Sequence, residues 1–421
     1  MNTQTYAKER LCYILEETFH YLITILISGS YLAKITSSLG FSDGLTAILS
    51  AFVTLGCSFQ LLSVVFFRKG MVKRRLTAVF LLNQLLFMLL YLIPSFSGLQ
   101  GLRTVLFIVL LFLGHFIVNI ALAPRTNWFM SFVDNGKRGI FTAKKEAISL
   151  ISGMLFQFLM SAVIDRFEAQ GDIHTAFTLC AIVIFVLSIG HALSLICTQD
   201  QEVTATHQSL SEEIKDIFTD KGFRPLLGLC ILWAICHNVS IPFYGTYTIK
   251  ELGFIMTFLA FLSLLTAVSR ILASIWLGKY ADRYSFAKML RLCYCILAIG
   301  FAVAVFIRPS NGYVLYPVYA ICNAVSLGGI NSAEINLIFD YISPKKRTVA
   351  LSVRMAVYGI IGFLTSTVAT PLLHSIQNAG NRLLFMHIYA QQVLSAIALV
   401  FTILLTLYVH RLSKKLRVVD E

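Results

Sequence analysis

Long apolar stretches, cut at intervals by short polar segments, fill most of this 421-residue chain. Twelve runs reach the roughly 20 mostly apolar residues that a membrane-crossing helix needs. They lie at 11–33, 43–67, 76–95, 104–133, 146–165, 174–197, 225–249, 252–277, 289–307, 312–342, 349–373 and 383–409. Several exceed the minimum, which permits tilting or kinking. None shows the apolar–polar alternation of barrel strands. The pattern therefore predicts an all-α membrane protein with twelve transmembrane helices. Only the connection at 198–223, TQDQEVTATHQSLSEEIKDIFTDKGF, is long. Ser209 and Glu212 have capping-box spacing, and Ile214, Ile217 and Phe218 share one helical face. These predict a short amphipathic helix on the membrane surface. The predicted organisation is six helices over 1–197, a linker over 198–223, and six helices over 224–421.

Composition agrees. The chain is 57% hydrophobic and 13% charged, whereas soluble chains are about 45–50% apolar and 25% charged. Its net charge of +13 could suit a nucleic-acid partner, but the positions of the charges exclude that reading. With the N-terminus in the cytoplasm and twelve crossings, six of the 34 Lys and Arg fall in outer connections: Lys34, Arg103, Arg166, Lys250, Arg308 and Arg382. Two, Arg125 and Arg270, fall deep inside helices, and the other 26 lie in the cytoplasmic segments or at the cytoplasmic ends of runs. This positive-inside pattern puts both termini in the cytoplasm. Glu16 and Glu17 interrupt the first run, which argues against a signal peptide. The nine cysteines lie almost all in apolar runs with no CxxC pair, so buried thiols are expected and no metal site.

The halves repeat. KRGIFTAKKEAISLISG (137–153) matches KRTVALSVRMAVYGIIG (346–362) at an offset of 209, pairing Arg138 with Arg347, Lys145 with Arg354 and Gly153 with Gly362. A charged loop, GKYADRYSFAKMLR (278–291), has a fainter counterpart, SVVFFRKGMVK (63–73), about 215 residues earlier. Repeats of this size are a transporter signature. The run Gly278-Lys-Tyr-Ala-Asp282-Arg283-Tyr-Ser-Phe-Ala-Lys288 resembles the G-x-x-x-D-R-x-G-x-x-[RK] loop of the major facilitator superfamily, and the likeness extends over the whole chain. It implies two pseudo-symmetric six-helix bundles working by alternating access. Ser285 stands where the second Gly is usual. In the first half Ser63 replaces the Gly and Phe67 the Asp, so only Asp282 can supply a gate carboxylate. Asp282 can accept from backbone N–H groups at a helix start, or pair with a loop Arg. The resemblance implies that such contacts, with Gly278, Arg283, Arg138 and Arg347, hold one face closed. The alternative is that the basic residues only set topology.

The resemblance also implies a cavity lined by runs 1, 4, 7 and 10. In run 1, Tyr13, Glu17, His20, Thr24, Ser28 and Tyr31 share a sector about 80° wide. In run 7, Trp233, His237, Ser240, Tyr244 and Tyr247 do the same. At an offset of 216, Thr24 meets Ser240, Ser28 meets Tyr244 and Tyr31 meets Tyr247. Two matched polar–aromatic stripes suggest cavity walls; helix–helix packing is the competing reading. His115 and Asn119 in run 4, with Asn323 and Asn331 in run 10, could bind a polar solute. Glu17 and His20, three residues apart, suit a proton-coupling pair, or Glu17 is a structural partner. Arg125 and Glu334 correspond at the 209 offset, which suggests an ion pair across a gate. Arg125 could instead bind an anionic substrate, or each could pair within its own half. Arg270 is expected to pair with Asp340.

There is no G-x-x-x-x-G-K-[ST], H-E-x-x-H or G-x-S-x-G motif, so no nucleotide, metal or other cofactor is expected. The sequence points to a monomeric secondary transporter of a plasma membrane, bacterial in type. It would move a small polar organic solute, with protons as coupling ion. A lipophilic-drug exporter is the alternative, disfavoured because AISLISGMLFQFLMSAV lacks the helix-5 proline typical of that group. A polytopic membrane enzyme using His115 or His237, or a transport-dead sensor, are alternatives of another class.

Overall fold

The structure, a computed structural model, describes residues 6–41, 45, 49, 52–67, 70–96, 100–200, 202–203, 210–254, 256–383 and 386–415. Among these residues, eleven helical stretches are long and apolar enough to cross a membrane, and a shorter apolar helix spans Leu55–Phe66. The rest of the run at 43–67 lies partly outside the described residues, as do Ser209 and Arg68.

The chain forms two compact units, one of residues through Asp134 plus Ala147–Glu212, the other of Asn135–Glu146 plus residues from Glu213 onward. The first contains α1 (Ala7–Leu26), α2 (Gly29–Ser38), α3 (Phe52–Cys57), α4 (Val72–Leu92), α5 (Gln100–Met130), most of α6 (Arg138–Ala169) and α7 (Ile173–Cys197). The helix α8 (Leu210–Thr219) follows. The second unit holds α9 (Phe223–Ser240), α10 (Met256–Arg283), α11 (Phe286–Ala304), α12 (Gly312–Tyr341), α13 (Arg347–Asn378) and α14 (Ala390–Lys415), together with the start of α6.

Helix ends follow local chemistry. α1 stops where Gly29 adopts φ +54°, a left-handed conformation that glycine takes at little cost. Asp172 caps α7: its carboxylate accepts from the Thr175 backbone N–H (3.2 Å) and hydroxyl (2.6 Å). Those bonds hold the exposed Asp172 carboxyl below its ordinary range. Ser285 caps α11 by accepting from the Lys288 N–H at 3.2 Å. The departure from glycine at this loop position thus has a physical use. Ser285→Ala is expected to lower stability by about 1 kcal/mol, and Ser285→Gly by only a few tenths; melting of the two purified variants compares them.

In the first unit the core gathers Ile23, Leu26, Tyr91, Phe107, Phe177 and Ile184, from α1, α4, α5 and α7. Large apolar residues face outward elsewhere, Phe158 at 76% and Val368 at 75% exposure. Water would not tolerate such a surface, and a bilayer does. The degenerate loop of the first half is held without a carboxylate of its own. Gly70–Met71 pairs antiparallel with Glu202–Val203, and Lys73 donates to the Asp200 carboxylate through its backbone N–H (3.1 Å) and to the Thr198 carbonyl through Nζ (3.0 Å).

Candidate functional site

The densest group of charges inside the membrane-spanning helices lies in the first unit. Glu16 on α1 is fully buried, as is His191 on α7, and Arg125 on α5 is 4% exposed. Arg125 Nε donates to Glu16 at 2.9 Å, and Nη2 pairs with Glu17. His191 Nε2 lies 2.9 Å from Glu16 Oε1, which Arg125 Nε also approaches, at 2.8 Å. Glu17 keeps 29% of its side chain exposed. Phe80 of α4 closes the cluster: it lies 5.8 Å from the guanidinium and meets the His20 and His191 rings nearly edge-on. A buried ion costs several kcal/mol unless it is paired. One guanidinium between two carboxylates answers that cost in part, and the planar fork of arginine fits it.

These partners correct two expectations. Arg125 is engaged by Glu16 and Glu17, while Glu334 accepts from Arg354 Nη1 at 2.8 Å. The repeat offset aligned their depths, but each charge finds a nearer partner in its own unit. Arg270 pairs with Glu146 at 2.6 Å, and Asp340 accepts from Arg138 at 3.2 Å.

The α1 stripe is largely satisfied within its own unit. The Thr24 hydroxyl donates to the His20 carbonyl (2.9 Å), and Ser28 to the Thr24 carbonyl (2.8 Å). Tyr13 stacks flat on Phe129 at 4.5 Å. Tyr31 lies beyond the helix break, and its hydroxyl donates to the Gln157 carbonyl (2.8 Å). His20 Nδ1 is buried with no hydrogen-bond partner among the described residues, and so is His115 Nε2. Asn119 donates to the His115 carbonyl (2.7 Å) and accepts from Gln60 (3.3 Å).

In the second unit Trp233 packs against His237, and His237 Nδ1 lies 3.1 Å from the Tyr358 hydroxyl. α9 ends at Ser240, where Pro242 sits in a tight 3-10 turn. Ser240 accepts from Gln391 (3.0 Å), and the Tyr244 hydroxyl meets Ser395 (2.7 Å). Tyr247 donates to the Ile307 carbonyl at 2.8 Å. Tyr31 and Tyr247, matched by the repeat, thus perform the same task. Asn323 Oδ1 is buried without a partner among the described residues, and Asn331 is exposed.

The charged loop takes the first of its two predicted options. Both Asp282 oxygens accept from backbone N–H groups at the start of α6, Gly139 at 2.7 Å and Ile140 at 2.8 Å. Unpaired N–H groups and the helix dipole make this end attractive to a carboxylate. Close approach requires the two glycines: a Cβ on Gly139 would lie 2.5 Å from the Gly278 carbonyl oxygen, and one on Gly278 2.5 Å from the Gly139 carbonyl oxygen. Arg138 and Arg347, matched by the repeat, both lie over the Phe339 ring, at 5.2 and 4.9 Å. Arg347 also donates to the Phe339 and Ile342 carbonyls at the end of α12. Arg283 is exposed, over Tyr284.

Sequence reasoning passed over Glu16, Glu146 and His191 as site residues. For Glu16 a signal existed, since a carboxylate inside an apolar run must meet a cation or a cavity. His191 gave none beyond being an ionisable residue in the sixth run.

A sequence model of the Major Facilitator Superfamily matches residues 17–366. No curated protein matches the sequence. Among solved structures, a bacterial homologue of the iron transporter ferroportin superposes with TM-score 0.70 at 14% identity, over 99% of this chain and 100% of that one. The E. coli fucose:proton symporter FucP gives 0.64 at 12%, over 95% and 98%. The proton:xylose symporter XylE gives 0.67 at 13%, over 98% and 96%. At these identities the structural likeness shows the fold alone, a twelve-helix one. The match over residues 17–366 carries the assignment: the chain belongs to the Major Facilitator Superfamily, a family of multi-span membrane transporters and not of enzymes.

Proposed function

We propose that this secondary transporter moves a small polar organic solute across a plasma membrane, with protons as the coupling ion. The observation that carries this reading is the Glu16–Glu17–Arg125 group, with His20 beside it, inside membrane-spanning helices. Ionisable groups at that depth are costly, and proton relays are among their recognised uses. Two neighbours of the same fold, FucP and XylE, are described as proton symporters of sugars. The second unit adds rings and uncharged donors, Trp233, His237, Tyr244 and Ser240, chemistry suited to a polar neutral solute. The bundles 1–197 and 224–421 would be the rocking parts. Basic loops facing the cytoplasm put both termini there.

A thermal-shift screen of the purified protein at two pH values tests the substrate class. The panel holds sugars, nucleosides, amino acids, organic anions, ferrous iron and lipophilic cations. Stabilisation by one polar organic class is expected, and its loss in Trp233→Ala or His237→Ala. Stabilisation by lipophilic cations alone would replace this reading with drug export. Accumulation of the identified solute in proteoliposomes, with and without a pH gradient, tests the coupling; indifference to the gradient rules it out.

A further inference from the structure

Arg354, buried on α13 of the second unit at 7% exposure, is hydrogen-bonded incompletely. Its Nη1 donates to Glu334 of α12 at 2.8 Å, and its Nη2 meets the Met355 sulfur at 3.1 Å. Its Nε is buried with no partner among the described residues. A thioether is a weak acceptor, and a buried donor left unpaired is costly. Nε and Nη2 form one edge of the planar guanidinium, an edge that a carboxylate can grip with two parallel bonds. In Arg125 the same edge is filled, by Glu16 on Nε and Glu17 on Nη2. In Arg354 it is covered by Met355, whose unbranched side chain adapts readily.

Glu334 is half used as well. One oxygen accepts from Arg354; the other has no hydrogen bond among the described residues, and 13% of the side chain is exposed. Tyr294 on α11, near enough to feel the Glu334 charge, is fully buried, and its hydroxyl has no partner among the described residues. Its ring lies 5.8 Å from that of Trp233. The ion pair is thus neutral as a whole, yet each member keeps an unfilled bonding position. Charge balance then selects the solute. An anion on Arg354 would leave the pair net negative, and a cation on Glu334 would leave it net positive; either is costly inside membrane-spanning helices. A solute that carries both charges keeps it neutral.

We propose that Arg354 and Glu334 are the two poles of a binding site for a zwitterion of the amino-acid class. The solute carboxylate takes Nε and Nη2 of Arg354, displacing the Met355 thioether, and the solute ammonium takes the unfilled oxygen of Glu334. The Arg354–Glu334 bond itself stays in place. Trp233, packed on Tyr294, offers an aromatic face of the kind that attracts an ammonium. This inference rests on the polar-solute reading above and narrows it, since a zwitterion is polar and neutral overall.

Isothermal titration of the full chain in nanodiscs with α-, β- and γ-amino acids tests the class without any variant. At least one should bind. The matched amine without the carboxylate, and the matched acid without the amine, should each bind at least about thirtyfold more weakly, the usual loss when one partner of a buried charge pair is removed. Two variants place the site. Arg354→Lys keeps a cation for Glu334 but loses the planar fork, so the advantage of the amino acid over its amine should collapse. Glu334→Gln should erase the advantage over the acid. A purely structural ion pair would lower both melting temperatures and leave these ratios, measured on folded protein, where they were. Unchanged ratios therefore overturn the site, and so does a wild type that binds no amino acid. The broader reading survives that second result if a sugar or nucleoside binds instead, and falls with it if lipophilic cations alone bind.

Discussion

Arg125→Met is expected to abolish transport and to cost about 3–5 kcal/mol of stability, the usual loss when one partner of a buried ion pair is removed. Methionine keeps much of the packing against Phe80 but leaves Glu16, wholly buried, without its guanidinium partner. Adding Glu16→Gln should recover much of the stability, because the charge left most exposed to the penalty is then gone; transport should stay absent. Melting and uptake of the two variants side by side test this. A wild-type melting temperature for Arg125→Met would show that the guanidinium neutralises nothing. The paired reversal, Arg125→Glu with Glu334→Arg, should not rescue either single reversal. Glu334 has its own cation in Arg354, and the carboxylate brought in by Arg125→Glu would join two already crowded on α1.

Asp282→Ala is the second large effect. The substitution leaves the Gly139 and Ile140 N–H groups without their acceptor. Hydrogen bonds to a charged group are worth about 1.5–3 kcal/mol each. The amides of Gly139 and Ile140 should therefore exchange with deuterium at least about tenfold faster, with little change in α7 or α14. Asp282→Asn keeps one acceptor oxygen and should fall between. Gly278→Ala reaches the same result by another route, since its methyl would strike the Gly139 carbonyl and push the cap apart. Unchanged exchange at both amides in Asp282→Ala would remove the carboxylate from any gating role.

The helices were legible because hydrocarbon demands continuous apolar length, and the charged loop because Gly278, Asp282 and Arg283 have few substitutes for a tight, capped approach. The tyrosine pair was legible as a repeat: Tyr31 and Tyr247 each tie a hydroxyl to a carbonyl just past a helix break. Ion-pair partners were not. An offset of 209 relates depth along the membrane, but pairing depends on rotation about each helix axis and on which neighbour is nearest. Arg125 and Glu334 show this, as do Arg270 and Asp340. Glu16 was obscured by Glu17, because the polar sector of α1 was drawn through only one of the two adjacent carboxylates. Their roughly 100° separation sends them to different places, one to His191 and the core, the other to the edge.

The cluster also has a consequence for how the protein is made. Glu16 and Arg125 are 109 positions apart, so at about 5–20 residues per second the arginine is synthesised roughly 5–20 s after the glutamates. During that interval α1 carries the two carboxylates without Arg125, and the stretch Ala7–Ser38 that contains it has the lowest mean hydropathy of the eleven crossing stretches among the described residues, 1.3. Insertion of α1 is therefore provisional until α5 arrives and complete only with α7. Ribosome-bound chains ending before Arg125 should leave α1 extractable by alkaline carbonate, and chains ending after His191 should hold it fast.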